Sequence, residues 1–90
     1  MADDPFSEDQ IVHLAANWAV AAAYKLLSSR VSSGALVDES ALREIETAAL
    51  MEAAAALRVR GVSSPAGQAA ISEGLTVVRK LFDEFRAARA

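Results

Sequence analysis

Apolar residues recur every three or four positions along most of the chain, in three segments separated by short polar stretches around residues 32–34 and 61–65. This spacing places apolar side chains on one face of an α-helix, and the alternating pattern of a half-buried strand does not occur in the sequence. The pattern predicts three helices, at about residues 8–32, 39–60 and 65–88.

Each predicted helix begins at a residue type that caps helices well. Ser7 starts a capping-box sequence for the first helix, and Asp38 can accept the orphan amides of the second. Ser64 precedes Pro65, which fits the first helical position because that position needs no amide hydrogen. Residues 1–6 precede the first cap, and we expect them to be flexible.

Three helices of this length, joined by short connections, predict a single all-α domain over residues 1–90, a small antiparallel bundle. The second and third helices have ordinary apolar stripes. The first helix has an apolar arc of roughly 240°, which one neighbouring helix cannot cover. Either both other helices pack on it, or dimerisation completes the bundle.

Composition and charge also favour association of this chain with a second copy or with another protein. Hydrophobic residues make up 53% of the chain, more than a monomer of 90 residues easily covers. Residues 1–57 hold nine acidic and three basic side chains, and residues 58–90 hold three acidic and six basic ones, which gives charges of −6 and +3. The asymmetry fits head-to-tail self-association or an acidic partner, and equally an ordinary variation among short helices.

Residues that carry catalysis are scarce. The sequence has one histidine and no cysteine. His13, with Asn17 one turn later, is the best candidate for a general base, although a single histidine on a polar strip is more often structural. Glu46 and Glu52 could serve acid–base or metal chemistry, but surface solubilisation explains them better because the Glu-x-x-His spacing is absent. We expect a non-enzymatic protein with no cofactor and no metal.

The segment around Gly61 resembles the turn of a DNA-binding helix-turn-helix only weakly, because Arg60 and Gly67 stand where that motif usually has apolar residues. The longest apolar run, residues 11–27, contains three polar residues and follows an acidic segment, so we expect neither a membrane span nor a secretory signal. The lack of cysteine favours the cytoplasm.

Small and aromatic residues on the helices predict close packing. Gly67 and Gly74 lie on one face of the third helix, where we expect contact with Trp18 or with the alanines of the second helix. Trp18 itself is more typical of a core anchor than of an interface. Leu36 and Val37 are apolar residues in the first connection, which we therefore expect to fold back onto the bundle.

Elimination leaves a protein–protein interaction module. Within this class we favour a bacterial regulator that sequesters a partner such as a transcription activator, since abundant alanine and arginine suggest a GC-rich genome. A DNA-binding regulator is the alternative, and an enzyme subunit or small-molecule binder comes third. We expect a protein partner, with a homodimer as an open alternative, and expect neither nucleic acid nor membrane binding. The predicted partner-binding residues, of which Tyr24 is the strongest, are Val12, Val20, Tyr24, Leu27, Leu36 and Val37.

Overall fold

A computed structural model describes residues 4–89 and confirms the all-α fold, with no strand in that range. The chain forms three helices, α1 (Glu8–Ser32), α2 (Glu39–Val59) and α3 (Pro65–Arg89). Their bounds agree with the sequence pattern to within one residue: α2 ends one residue early, with Arg60 as its C-cap, and α3 ends one residue late.

The predicted caps are all present. The Ser7 hydroxyl accepts a hydrogen bond from the Gln10 amide at 3.2 Å, and the Gln10 side chain accepts one from the Ser7 amide at 2.9 Å. Asp38 accepts a bond of 2.8 Å from an amide in the first turn of α2. The Ser64 hydroxyl accepts one of 2.9 Å from the Gly67 amide. Local hydrogen bonding therefore sets where each helix starts.

The α1 helix lies at the centre of the fold. Both α2 and α3 pack along it extensively, whereas α2 and α3 touch each other little. The chain runs up, down and up, so α1 and α3 point in the same direction. Much of the wide apolar arc of α1 is therefore covered by the other two helices. The largest fully buried side chains are Ile11, Leu57, Val62, Ile71 and Val78.

The α1 and α3 helices come close together at Gly74. A Cβ atom added there would lie 2.5 Å from the carbonyl oxygen of Val12 and 2.9 Å from the Cβ of Ala15. Close packing was predicted at this glycine, but its neighbour is the backbone of α1, rather than Trp18 or the alanines of α2. Small residues on both helices allow the two backbones to meet.

The segment before α1 is attached to the turn between α2 and α3. One carboxylate oxygen of Asp4 accepts hydrogen bonds from the amides of Ser63, at 3.0 Å, and Ser64, at 3.2 Å. The other accepts a bond from the Ser64 hydroxyl. Phe6 packs against the core. Residues 1–3 lie outside the described residues, but residues 4–6 have specific contacts that the prediction of a flexible segment did not include.

Candidate functional site

A groove with an apolar lining opens at the end of the bundle where α1 and α3 finish and α2 begins. It encloses about 200 Å³. Residues of all three helices line it: Val20, Ala23 and Leu27 of α1, Leu42 of α2, and Val78, Leu81, Phe82 and Phe85 of α3. We call it the apolar groove. None of these side chains carries a polar group, so the groove can bind only apolar groups favourably.

Two rows of apolar side chains, all of them exposed except the half-buried Leu27, border the groove. On α1 the row is Val20, Tyr24, Leu27 and Val31, here called the α1 ridge; on α3 it is Val77, Leu81 and Phe85, here called the α3 ridge. Tyr24 is 72% exposed and Leu81 is 49% exposed. Helical spacing of three and four residues places the members of each row on one side of their helix. The two ridges and the groove together form the apolar face.

Charged side chains are rare on the α1 side of this face, since residues 14–24 contain none. At the opposite edge Arg86 binds α3 to α2. Its guanidinium forms ion pairs with Glu46 and, at 3.1 Å, with Glu39. The hydrogen bond to Glu46 and the surrounding carboxylates raise the pKa of Arg86 further above its ordinary value, so the guanidinium stays charged. These ion pairs hold Phe82 and Phe85 near the start of α2.

Three of the predicted partner-binding residues, Val20, Tyr24 and Leu27, come together on the apolar face. Val12 packs against the core instead, beside Gly74. The remaining two belong to the connection between α1 and α2.

In that connection, Leu36 is 84% exposed and its carbonyl accepts a hydrogen bond of 3.4 Å from Arg30. The Leu36 side chain therefore does not fold back onto the bundle as predicted, whereas Val37 is half-buried.

Sequence reasoning missed the half of the face that α3 contributes. In the sequence, Leu81, Phe82 and Phe85 continue the ordinary apolar stripe of the third helix, which predicts that they pack in the core. The structure leaves Phe85 47% exposed, because the neighbouring helices do not cover that end of α3. The missed signal was the concentration of large apolar residues, three within five positions, near the end of the last helix.

A second, more polar groove lies between α1 and α2. It encloses about 420 Å³ and includes Trp18, Lys25 and Glu52 in its lining. The guanidinium of Arg60 stacks on the indole of Trp18, 4.2 Å from the ring centroid. This cation–π contact and the packing of Trp18 against the core agree with its prediction as an anchor.

Candidate catalytic groups do not converge. His13 is exposed, and its Nδ1 lies 2.8 Å from the carbonyl oxygen of Asp9, to which it can donate a hydrogen bond along its own helix. Glu46 is engaged by Arg86, while Glu52 lies at the more polar groove. Within the described part of the chain, His, Cys, Asp and Glu side chains form no group of three suited to holding a metal ion.

The turn at Gly61 differs from an open DNA-reading motif. Gly61 has a φ of 98°, which favours glycine and ends α2. The carboxylate of Asp4 occupies the start of α3, where a recognition helix would meet the negatively charged backbone of DNA. Arg60 is directed onto Trp18. Charge and geometry at this turn therefore disfavour contact with phosphate groups.

No protein-family model matches the chain, and neither the curated proteins nor the solved structures include a significant match to it. Among the described residues, no helix is long and apolar enough to cross a membrane. The fold and its surface define a small all-α domain with an exposed apolar face.

Proposed function

We propose that this chain is a small, non-enzymatic protein–protein interaction module that binds another protein through its apolar face. The observation that carries the proposal is the apolar groove, which three helices line without a polar side chain and which opens between two exposed ridges. Contiguous exposed apolar surface is rare on soluble monomeric domains, and where it occurs it usually marks an interaction site.

The shape and chemistry of the groove fit an amphipathic helix of a partner. Such a helix places large apolar residues in a hydrophobic groove at intervals of three or four positions. Leu81 and Phe85 would contact those residues from one side, and Val20 and Leu27 from the other. Tyr24 adds an aromatic ring whose hydroxyl can remain hydrated at the rim.

A regulator that works by sequestration needs only such a surface. The protein would bind a partner such as a bacterial transcription activator and cover the surface by which that partner acts. No covalent step or cofactor is required, and the lack of cysteine fits action in the reducing cytoplasm. The isolated His13 and the carboxylate at the start of α3 give less support to an enzyme or a DNA-binding protein.

The proposal is tested by affinity capture from cells that naturally contain this chain, with three versions of the protein. These are the wild type, Leu81→Asp on the apolar face, and Met51→Asp on α2 as the matched control. Met51 is 68% exposed and lies outside the apolar groove, so both substitutions add one carboxylate to an exposed apolar position.

We expect a protein that the wild type and the Met51→Asp variant retain and that the Leu81→Asp variant loses. Circular dichroism should show equal helix content in all three versions. Titration of the captured protein should then show binding about tenfold or more weaker for the Leu81→Asp variant, since buried charge at an interface is costly. Equal retention by all three versions would contradict the proposal.

A further inference from the structure

The two ends of α3 are held in different ways. The first part is fixed to the rest of the fold, because Ile71 is buried in the core and Gly74 lies against the backbone of α1. The second part contains the exposed Leu81 and Phe85. Along its length α3 packs on α1 but touches α2 little. A straight α3 can therefore tilt about its contact at Gly74, which moves its end away from α2.

Ion pairs of Arg86 link the end of α3 to α2. The guanidinium binds Glu46, whose side chain is 14% exposed, and Glu39 in the first turn of α2, while Asp83 pairs with it from α3 itself. The same guanidinium lies over the ring of Phe82, 6.0 Å from the centroid, and Phe82 lines the apolar groove. The position of this groove wall is therefore coupled to the ion pairs. We call Arg86, Glu39 and Glu46 the clasp.

One polar group of the clasp lacks a hydrogen bond. The Nε of Arg86 is buried and lies 3.1 Å from a carboxylate oxygen of Glu39, yet it donates no hydrogen bond to any of the described residues. A buried donor without an acceptor is costly, and water could reach this one once the clasp opened. The missing bond therefore reduces the free-energy difference between a closed and an open arrangement.

The closed apolar groove is small for a helix of a partner. It encloses about 200 Å³, whereas a cavity of about 150 Å³ already holds one benzene ring. An amphipathic helix presents large apolar side chains from two or more turns, and the closed groove has room for about one of them. If the end of α3 tilted outwards, Leu81, Phe82 and Phe85 would move with it and the groove would become wider above Leu42.

We propose that the clasp regulates the apolar groove: it keeps the groove narrow in the free protein, and it opens as the end of α3 tilts outwards to admit a helix of the partner. This regulation rests on the proposed function. Because the partner binds the open arrangement, its apparent affinity is reduced by the small fraction of chains that are open. Breaking the clasp therefore strengthens binding, although neither Arg86 nor Glu46 lines the groove.

The distance between α2 and the end of α3 tests the clasp without any partner. The chain has no cysteine, so Ser40→Cys and Ala87→Cys, both at exposed positions, place one spin label on each helix of the full chain. Double electron–electron resonance should give a longer and broader distance distribution when Arg86→Gln or Glu46→Gln is added. Arg79→Gln, at an exposed position of α3, is the matched control and should change nothing. Unchanged distances in both clasp variants would overturn the proposal.

Binding of the dye anilinonaphthalene sulfonate measures access to the groove. Arg86→Gln and Glu46→Gln should each lower its dissociation constant about threefold or more relative to the wild type and Arg79→Gln, because more chains are open. The two substitutions change the net charge in opposite directions, so a gain in both does not come from the negative charge of the dye. Circular dichroism and cooperative urea unfolding show that each variant is folded.

A double variant locates the added dye. Leu81→Asp combined with Arg86→Gln should remove the gain in dye binding, because it places a carboxylate in the groove wall. A gain that persists in the double variant would come from a loosened fold and would overturn the proposal. So would the absence of any gain in both single variants.

Affinity capture separates failure of the clasp from failure of the proposed function. If the clasp variants open and bind more dye but no version captures a protein through Leu81, only the proposed function fails. If the wild type captures a protein through Leu81 and the variants Arg86→Gln and Glu46→Gln bind it no more tightly, the clasp fails and the proposed function stands.

Discussion

At the scale of single residues, Asp4 is bound through its carboxylate to the turn between α2 and α3. Its carboxylate accepts hydrogen bonds from the Ser64 hydroxyl and from the amides of Ser63 and Ser64. These bonds, the Ser64 hydroxyl first, lower the pKa of Asp4 below its ordinary value of 3.8. The ionised carboxylate is thus bound more strongly in the folded chain than the protonated acid is.

Because the pKa of Asp4 is lowered, part of the free energy of unfolding depends on pH in the acid range. The contribution of Asp4 is fully present above pH 3.8, the pKa expected in the unfolded chain, and is lost as the pH falls through the lower pKa of the folded state. Urea unfolding at neutral and at acid pH should therefore show a smaller pH dependence for Asp4→Asn than for the wild type. Glu73→Gln, on the exposed face of α3, is the control and should keep the dependence of the wild type.

Substitutions at Tyr24 and Val12 distinguish an effect on partner binding from an effect on folding. We expect Tyr24→Ala to weaken partner binding by about 1 to 2 kcal/mol or more while changing the free energy of unfolding by less than about 0.5 kcal/mol, because the ring is exposed. Val12→Ala should instead cost about 1 kcal/mol of stability, since Val12 packs against the core. Chemical denaturation together with titration calorimetry gives both quantities. Equal losses of stability in the two variants would place Tyr24 in the core.

At the scale of helices, the contact between α1 and α3 depends on the absence of a side chain at Gly74. Intrinsic helix propensity favours alanine over glycine by about 1 kcal/mol. The added methyl group would, however, lie 2.5 Å from a carbonyl oxygen of α1, so the helices would have to separate. Steric cost and helix propensity therefore change the free energy of unfolding in opposite directions. Because the carbonyl oxygen belongs to a rigid helix backbone, we expect the steric cost to be larger.

We expect Gly74→Ala to lower the free energy of unfolding by about 1 to 3 kcal/mol, as overpacking of a close contact does. Ser72→Ala on the exposed side of the same helix should be neutral or slightly stabilising, because there only propensity acts. Thermal and urea denaturation of the two variants provide the comparison. A Gly74→Ala variant more stable than the wild type would show that the helices separate at little cost.

At the scale of the whole molecule, the sequence predicts what local interactions decide. The capping residues Ser7, Asp38 and Ser64 gave the helix starts, and periodicity gave the apolar faces. Tertiary packing, in contrast, decides how much of each apolar face a neighbouring helix covers. Periodicity alone does not tell how far α1 and α2 cover α3, so the exposure of Phe85 could not be predicted. Likewise, no local pattern pairs Asp4 with Ser63, which lie 59 positions apart.

The parallel pairing of α1 with α3 has a consequence for the order of folding. The α1 and α2 helices are neighbours in sequence and can dock after closing a short loop, whereas the contact of Val12 with Gly74 joins α1 to α3 across the whole of α2. We expect the hairpin of α1 and α2 to form in the folding transition state, with α3 docking afterwards. In stopped-flow experiments, Ile45→Val, in the buried face of α2, should then mainly slow folding, and Gly74→Ala should mainly accelerate unfolding. The opposite pattern would mean that α3 docks before α2, so that the slowest chain closure comes first.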